Sequence, residues 1–100
     1  MMPALDITPG QQSLLMRLLQ QFLPNVGVWA FGSRVRGCAR STSDLDLVVF
    51  ASPSQKSQVF ALQEALEESN LPFKVDLLIW DEIPDNFKTN IQNQFIELVS

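Results

Sequence analysis

The chain has 100 residues, 46% apolar and 18% charged, a globular balance that argues for one domain (1–100) and against disorder. It contains no histidine and a single cysteine, Cys38, which excludes histidine-based triads, histidine zinc sites and an intrachain disulfide, and suits a reducing cytoplasm. The net charge of −4 lacks the basic footprint of direct nucleic-acid binding; residues 1–10 lack signal-peptide features, and no stretch is apolar for long enough to cross a membrane.

Thr8-Pro9-Gly10-Gln11 spells a capping box with proline at the first helical position. It predicts a helix to about Leu23, with Leu15, Leu18, Leu19 and Phe22 on one stripe. Pro24-Asn25 ends it. Val26 to Phe31 reads as a strand closed by Gly32, and residues 33–43 are polar and basic with room for a turn or two of helix. Asp44 to Phe50 carries the strongest strand signal: Leu45, Leu47 and Val49 fall on one face, Asp44, Asp46, Val48 and Phe50 on the other. Apolar residues on both faces beyond Asp46 make it a central strand.

Ser52-Pro53-Ser54-Gln55 repeats the capping pattern and opens a helix to about Ser69, burying Val59, Leu62 and Leu66. Phe73 to Trp80 is a third strand. A last helix is expected from about Pro84 to Leu98, burying Phe87, Ile91, Phe95 and Leu98. One helix joins the Asp44 and Phe73 strands, which should therefore be parallel; the link between the first two strands is too short for such a crossover and favours an antiparallel pair. The expected fold is α/β, a small mixed sheet with helices mainly on one face.

Asp44 and Asp46 lie one strand step apart on the same face, and Asp76 lies on the neighbouring parallel strand. Like charges so placed repel and call for a compensating cation or arginine. Three carboxylates without histidine make an oxygen-rich site suited to Mg²⁺; two such ions about 3.5–4 Å apart would clamp the attacking and leaving oxygens of a phosphoryl transfer. Gly32 permits close backbone approach to a phosphate, and Ser33 adds a hydroxyl. Arg34, Arg36 and Arg40 cluster beside them. Arg34 and Arg36 are candidates to neutralise a triphosphate; equally, one ties its loop to the sheet.

Gly32-Ser33, then ten residues, then Asp44-Leu45-Asp46 (signature 32–46), together with Lys74-Val75-Asp76-Leu77-Leu78 on strand 73–80, resemble the DNA polymerase β-type nucleotidyltransferase superfamily. The small size resembles its minimal nucleotidyltransferase group, whose members pair with HEPN-domain proteins in toxin–antitoxin modules. The resemblance implies that Asp44 and Asp46 bind two Mg²⁺ ions, and that Asp76 binds the metal at the attacking hydroxyl and accepts its proton. It also implies that Gly32 and Ser33 hold the β and γ phosphates of a nucleoside triphosphate, with ATP the expected donor. The implied reaction moves AMP to a hydroxyl, here a tyrosine of a HEPN toxin whose RNase activity it silences. The chain has no tyrosine, so such an adduct must form on another protein.

Two other readings stand beside this one: an antitoxin acting by binding alone, and nucleotidyl transfer to a small molecule. The chain ends just after its last expected helix, without the acceptor-binding domains of larger relatives. A second chain, a partner or another copy in a homo-oligomer, is therefore expected to supply the acceptor surface. Cys38 reads as a loop residue rather than a nucleophile, Trp29 and Trp80 as sheet packing, Asp81, Glu82 and Asp85 as favourable charges near a helix N-terminus, and Glu64, Glu67 and Glu68 as a solvated helix face.

Overall fold

A computed structural model gives the order α1 (Pro9–Phe22), β1 (Val28–Phe31), α2 (Ser33–Arg36), β2 (Leu45–Val49), α3 (Lys56–Glu67), β3 (Val75–Ile79), α4 (Asp85–Asn93) and β4 (Ile96–Val99). The structure describes residues 5–37, 39, 40 and 43–100. Cys38 lies outside the described residues. The Thr8 capping box forms in both directions: the Gln11 N–H donates to Thr8 Oγ1 at 3.1 Å, and the Thr8 N–H donates to Gln11 Oε1 at 2.9 Å. The Ser52 motif closes the same way, Ser52 N–H donating to Gln55 Oε1 at 2.9 Å, but it opens a 3-10 turn, Pro53–Gln55, that leads into α3.

The strands form one mixed sheet in the order β3-β2-β1-β4. β1 runs antiparallel to both β2 and β4, and β2 runs parallel to β3 across the α3 connection. Helices α1 and α3 cover one face, where Leu15, Leu19 and Leu62 pack on Val28, Ala30, Leu45, Leu47 and Val49. Each fully buried leucine there contributes roughly 1.5–3 kcal/mol of hydrophobic stabilisation. The other face is capped by α4 and the turn before it: Ile83 and Ile91 bury Val48, with Trp29, Phe31, Leu78, Trp80 and Phe95 packed around them. Trp29 stacks on Phe95 with centroids 3.9 Å apart and meets Phe50 and Trp80 edge-on. The two tryptophans are thus packing residues at the end of the sheet away from the carboxylates. Among the described residues no helix is long and apolar enough to cross a membrane.

The helix expected from Pro84 to Leu98 is shorter than its periodicity suggests, running only from Asp85 to Asn93. The chain leaves the helix at Asn93, and Ile96–Val99 returns as β4. The spacing of Phe87, Ile91, Phe95 and Leu98 satisfies a helical period, but β1 would otherwise leave its outer row of peptide groups without a partner. β4 pairs with that row, Ala30 with Ile96 and Trp29 with Glu97, and seats Phe95 on Trp29. Phe87, expected in the core, is 41% exposed and meets the Phe31 ring edge-on, with centroids 5.9 Å apart.

Candidate active site

Register fixes the centre of the site. Asp46 of β2 pairs with Phe31 of β1 on one side and with Asp76 of β3 on the other. Strand alternation turns both carboxylates away from α1 and α3, onto the face that α4 only partly covers. Asp44 is exposed just before β2, one strand step from Asp46. Burial pushes the Asp46 carboxyl above the usual carboxylate range; the neighbouring charges of Asp76 and then Asp44 push it further, and Arg36 opposes them. Asp76 pairs with Lys74, Nζ to Oδ1, at 3.4 Å on the open side of the sheet.

Gly32 follows β1 with φ +85°, a conformation that side chains rarely adopt. A Cβ at this position would also run into the Asp46 carboxylate. Glycine is therefore required twice, by the turn and by the acid beside it. The Gly32 carbonyl accepts the Val35 and Arg36 N–H groups at 3.0 and 3.1 Å, which starts α2 and places Ser33 at its first position. Gly37 ends that turn in the left-handed region with φ 76°.

The arginines separate by role. Arg34 is 6% exposed. Its Nη1 donates to the Asp6 carbonyl at 2.8 Å, its Nη2 and Nε donate to the Ser43 carbonyl at 2.9 and 3.1 Å, and its guanidinium lies 4.1 Å from the Phe73 ring centre. It thus holds the segment that delivers Asp44, the loop-tying role left open for one arginine of this cluster. Arg36 is exposed, acts electrostatically on Asp46, and lines a cavity of about 430 Å³ with Gly32, Phe31, Phe87 and Asn90. This cavity has no signal in the sequence, because it forms only where α4, distant along the chain, docks on this face of the sheet. The Lys74–Asp76 pair did have one: residues two apart on a strand share a face.

Among the described residues no three acidic side chains converge into a preformed metal cage. The donors are nonetheless of the right chemistry for a hard divalent cation: all are carboxylate oxygens, and burial first, then the charges of Asp76 and Asp44, disfavour ionisation of Asp46 without a compensating cation.

Comparison with known proteins identifies the lineage. The model of the family "Polymerase beta, Nucleotidyltransferase" matches residues 15–100. The chain belongs to this nucleotidyltransferase family. It is 40% identical over 93 residues to the "probable protein adenylyltransferase MntA" of Haemophilus influenzae, covering 92% of this chain and 82% of that protein. Its fold matches a toxin–antitoxin crystal structure with AMP-PNP, with TM-score 0.62 at 20% identity over 87% of this chain and 71% of that one. It also matches an MntA–HepT toxin–antitoxin complex, with TM-score 0.58 at 18% identity over 91% and 71%. Family membership makes the chain a nucleotidyltransferase and implies a nucleotide substrate and a divalent metal.

Proposed function

We propose that the chain is an antitoxin that transfers AMP from ATP to a hydroxyl, a tyrosine, on a HEPN-domain toxin in the cytoplasm. The observation that carries this reading is the register that sets Asp46 beside Asp76 with Gly32 pressed against the Asp46 carboxylate. The kinship to a protein adenylyltransferase supports AMP as the group moved and a protein as its acceptor.

In this reading Gly32 and Ser33 hold the β and γ phosphates, and Arg36 offsets their charge. Arg34 contributes indirectly, by holding the Asp44 segment. Asp44 and Asp46 would hold two Mg²⁺ ions, with Asp76 sharing one. The metal, when bound, supplies charge stabilisation to the phosphates and to the attacking oxygen. The acceptor oxygen forms a bond to the α-phosphorus, the bond from that phosphorus to the bridging oxygen breaks, and pyrophosphate departs. The hydroxyl proton passes to Asp76, which must first release Lys74.

The Lys74–Asp76 pair favours a second reading, an antitoxin that acts by occupying its toxin. Intact mass spectrometry of the toxin after incubation with the chain, ATP and MgCl₂ separates the two. The expected result is one or more added AMP units, absent with Asp44→Ala/Asp46→Ala. An unmodified toxin that is still fully silenced by that double variant would establish the binding reading.

A further inference from the structure

We infer that Gln63 is a positioning residue for Asp76, an inference that rests on the proton-accepting role proposed for Asp76 above. Among the described residues β3 is the edge of the sheet, with β2 on one side and no strand on the other. An edge strand leaves its outer peptide groups to water and its local pleat weakly held. At one place on β3 this is not so. Gln63 of α3 donates from Nε2 to the Val75 carbonyl at 2.8 Å, and its Oε1 accepts the Leu77 N–H at 3.3 Å.

Those two groups belong to the peptide units on either side of the Asp76 Cα. On the inner side Asp76 is aligned with Asp46 by the parallel ladder. Asp76 is therefore gripped from both edges, by a strand on one side and by a side-chain amide that reproduces a strand's donor and acceptor on the other. The partners also fix the amide's orientation, since the carbonyl requires the nitrogen and the N–H requires the oxygen. Among the described residues no other side chain bonds the outer edge of β3.

The geometry selects glutamine. Asparagine is one methylene too short, glutamate offers no donor when ionised, and methionine matches the length with neither group. The grip sets backbone torsions at Asp76 and so the aim of its carboxylate, where a displacement of about 1 Å costs on the order of a hundredfold in rate. The phosphate contacts proposed for Gly32, Ser33 and Arg36 lie on the far side of β2 from this grip, so the grip is expected to bear on transfer more than on nucleotide binding.

The test uses the chain with its toxin partner, Mg²⁺ and ATP. Two quantities are read: AMP transfer at saturating ATP, and the Kd of a non-hydrolysable ATP analogue by calorimetry. Gln63→Met is expected to slow transfer by about ten- to a hundredfold with Kd changed less than about twofold. Gln63→Glu, which keeps the acceptor, is expected to fall between it and wild type, and it serves as the test if Gln63→Met does not fold. In an Asp76→Asn background Gln63→Met should add no further loss. Wild-type transfer by Gln63→Met, or by Gln63→Glu in its place, alongside an inactive Asp76→Asn overturns the role of Gln63 and leaves that of Asp76 standing. Transfer and Kd that worsen together, in step with a lost folded fraction, also overturn it, because they indicate a structural part only. Full activity of Asp76→Asn removes the reading of Asp76 itself.

Discussion

Toward α1 and α3, strand β2 presents Leu45, Leu47 and Val49, all fully buried; toward α4 it presents Asp46, half-buried, and then Val48, fully buried. The same five residues thus build a dry core on one side and a graded surface on the other, acidic where the strand begins and sealed by aromatic packing where it ends. The gradient follows from where α4 lies. Ile83 and Ile91 close over Val48, while Asp46 lies beside Gly32, which lines the cavity that α4 leaves open with Phe31 and Phe87. A carboxylate is tolerated on a central strand because one end of that face is left uncovered. Its raised proton affinity is the energetic trace of the compromise.

If the two faces divide stability from chemistry, neighbouring substitutions on β2 must fail in different ways. Asp46→Asn is expected to lower AMP transfer by about a thousandfold, ~4 kcal/mol in the barrier, with the fold intact. Leu47→Ala, one residue on and facing the other way, should cost about 2–5 kcal/mol of folding stability. Its transfer rate per folded molecule should stay near wild type. Urea unfolding and transfer assays on both variants decide the matter; an unfolded Asp46→Asn or a folded but inactive Leu47→Ala would dissolve the division.

The contrast between the faces was largely legible from residue order. Alternation from Leu45 to Val49 announced the buried face, and the distance from Gly32-Ser33 to Asp44 brought the turn and the acids to one sheet end. Two things were not legible. The segment after Asn93 satisfies a helical period and a strand equally, and only the unpaired outer edge of β1 decides for β4. Gln63 looks like one more polar residue on an exposed helix face, since nothing in its surroundings along the chain reveals that α3 crosses the open edge of β3. Both depend on peptide groups far away in sequence. Local pattern carries side-chain chemistry but not the inventory of backbone partners.

Arg34 and Arg36 repeat the contrast at smaller scale. They are two residues apart on one short turn, one buried among carbonyls and the other facing the acids. Arg34→Met leaves the Asp6 and Ser43 carbonyls without their donor and should cost about 2–4 kcal/mol of stability, on the order of one to two lost charge-assisted hydrogen bonds. Arg36→Met should change stability by less than about 0.5 kcal/mol. It should weaken binding of a triphosphate analogue by about tenfold, ~1.4 kcal/mol. Thermal melts paired with calorimetric titration read both quantities. An Arg36 variant that binds the analogue normally would take Arg36 out of the phosphate site.

The smallest expected effect is the stability cost of Asp46 in the absence of ligand. Its carboxyl is held above the unfolded value of 3.8, so the folded state binds the proton more tightly than the unfolded one. The penalty is therefore complete above the folded pKa, shrinks as pH falls through it, and is gone below 3.8. Asp46→Asn cannot ionise and should melt higher than wild type at neutral pH, with the gap closing as acid titrates the wild-type residue. Salt distinguishes the causes. At about 1 M salt the screening length shrinks to about 3 Å, so the contributions of Asp76 and Asp44 weaken while that of burial does not. Since burial is the largest cause, most of the melting gap should survive high salt. A gap that salt abolishes would mean that repulsion among the acids, and not the covered strand, sets the proton affinity of Asp46.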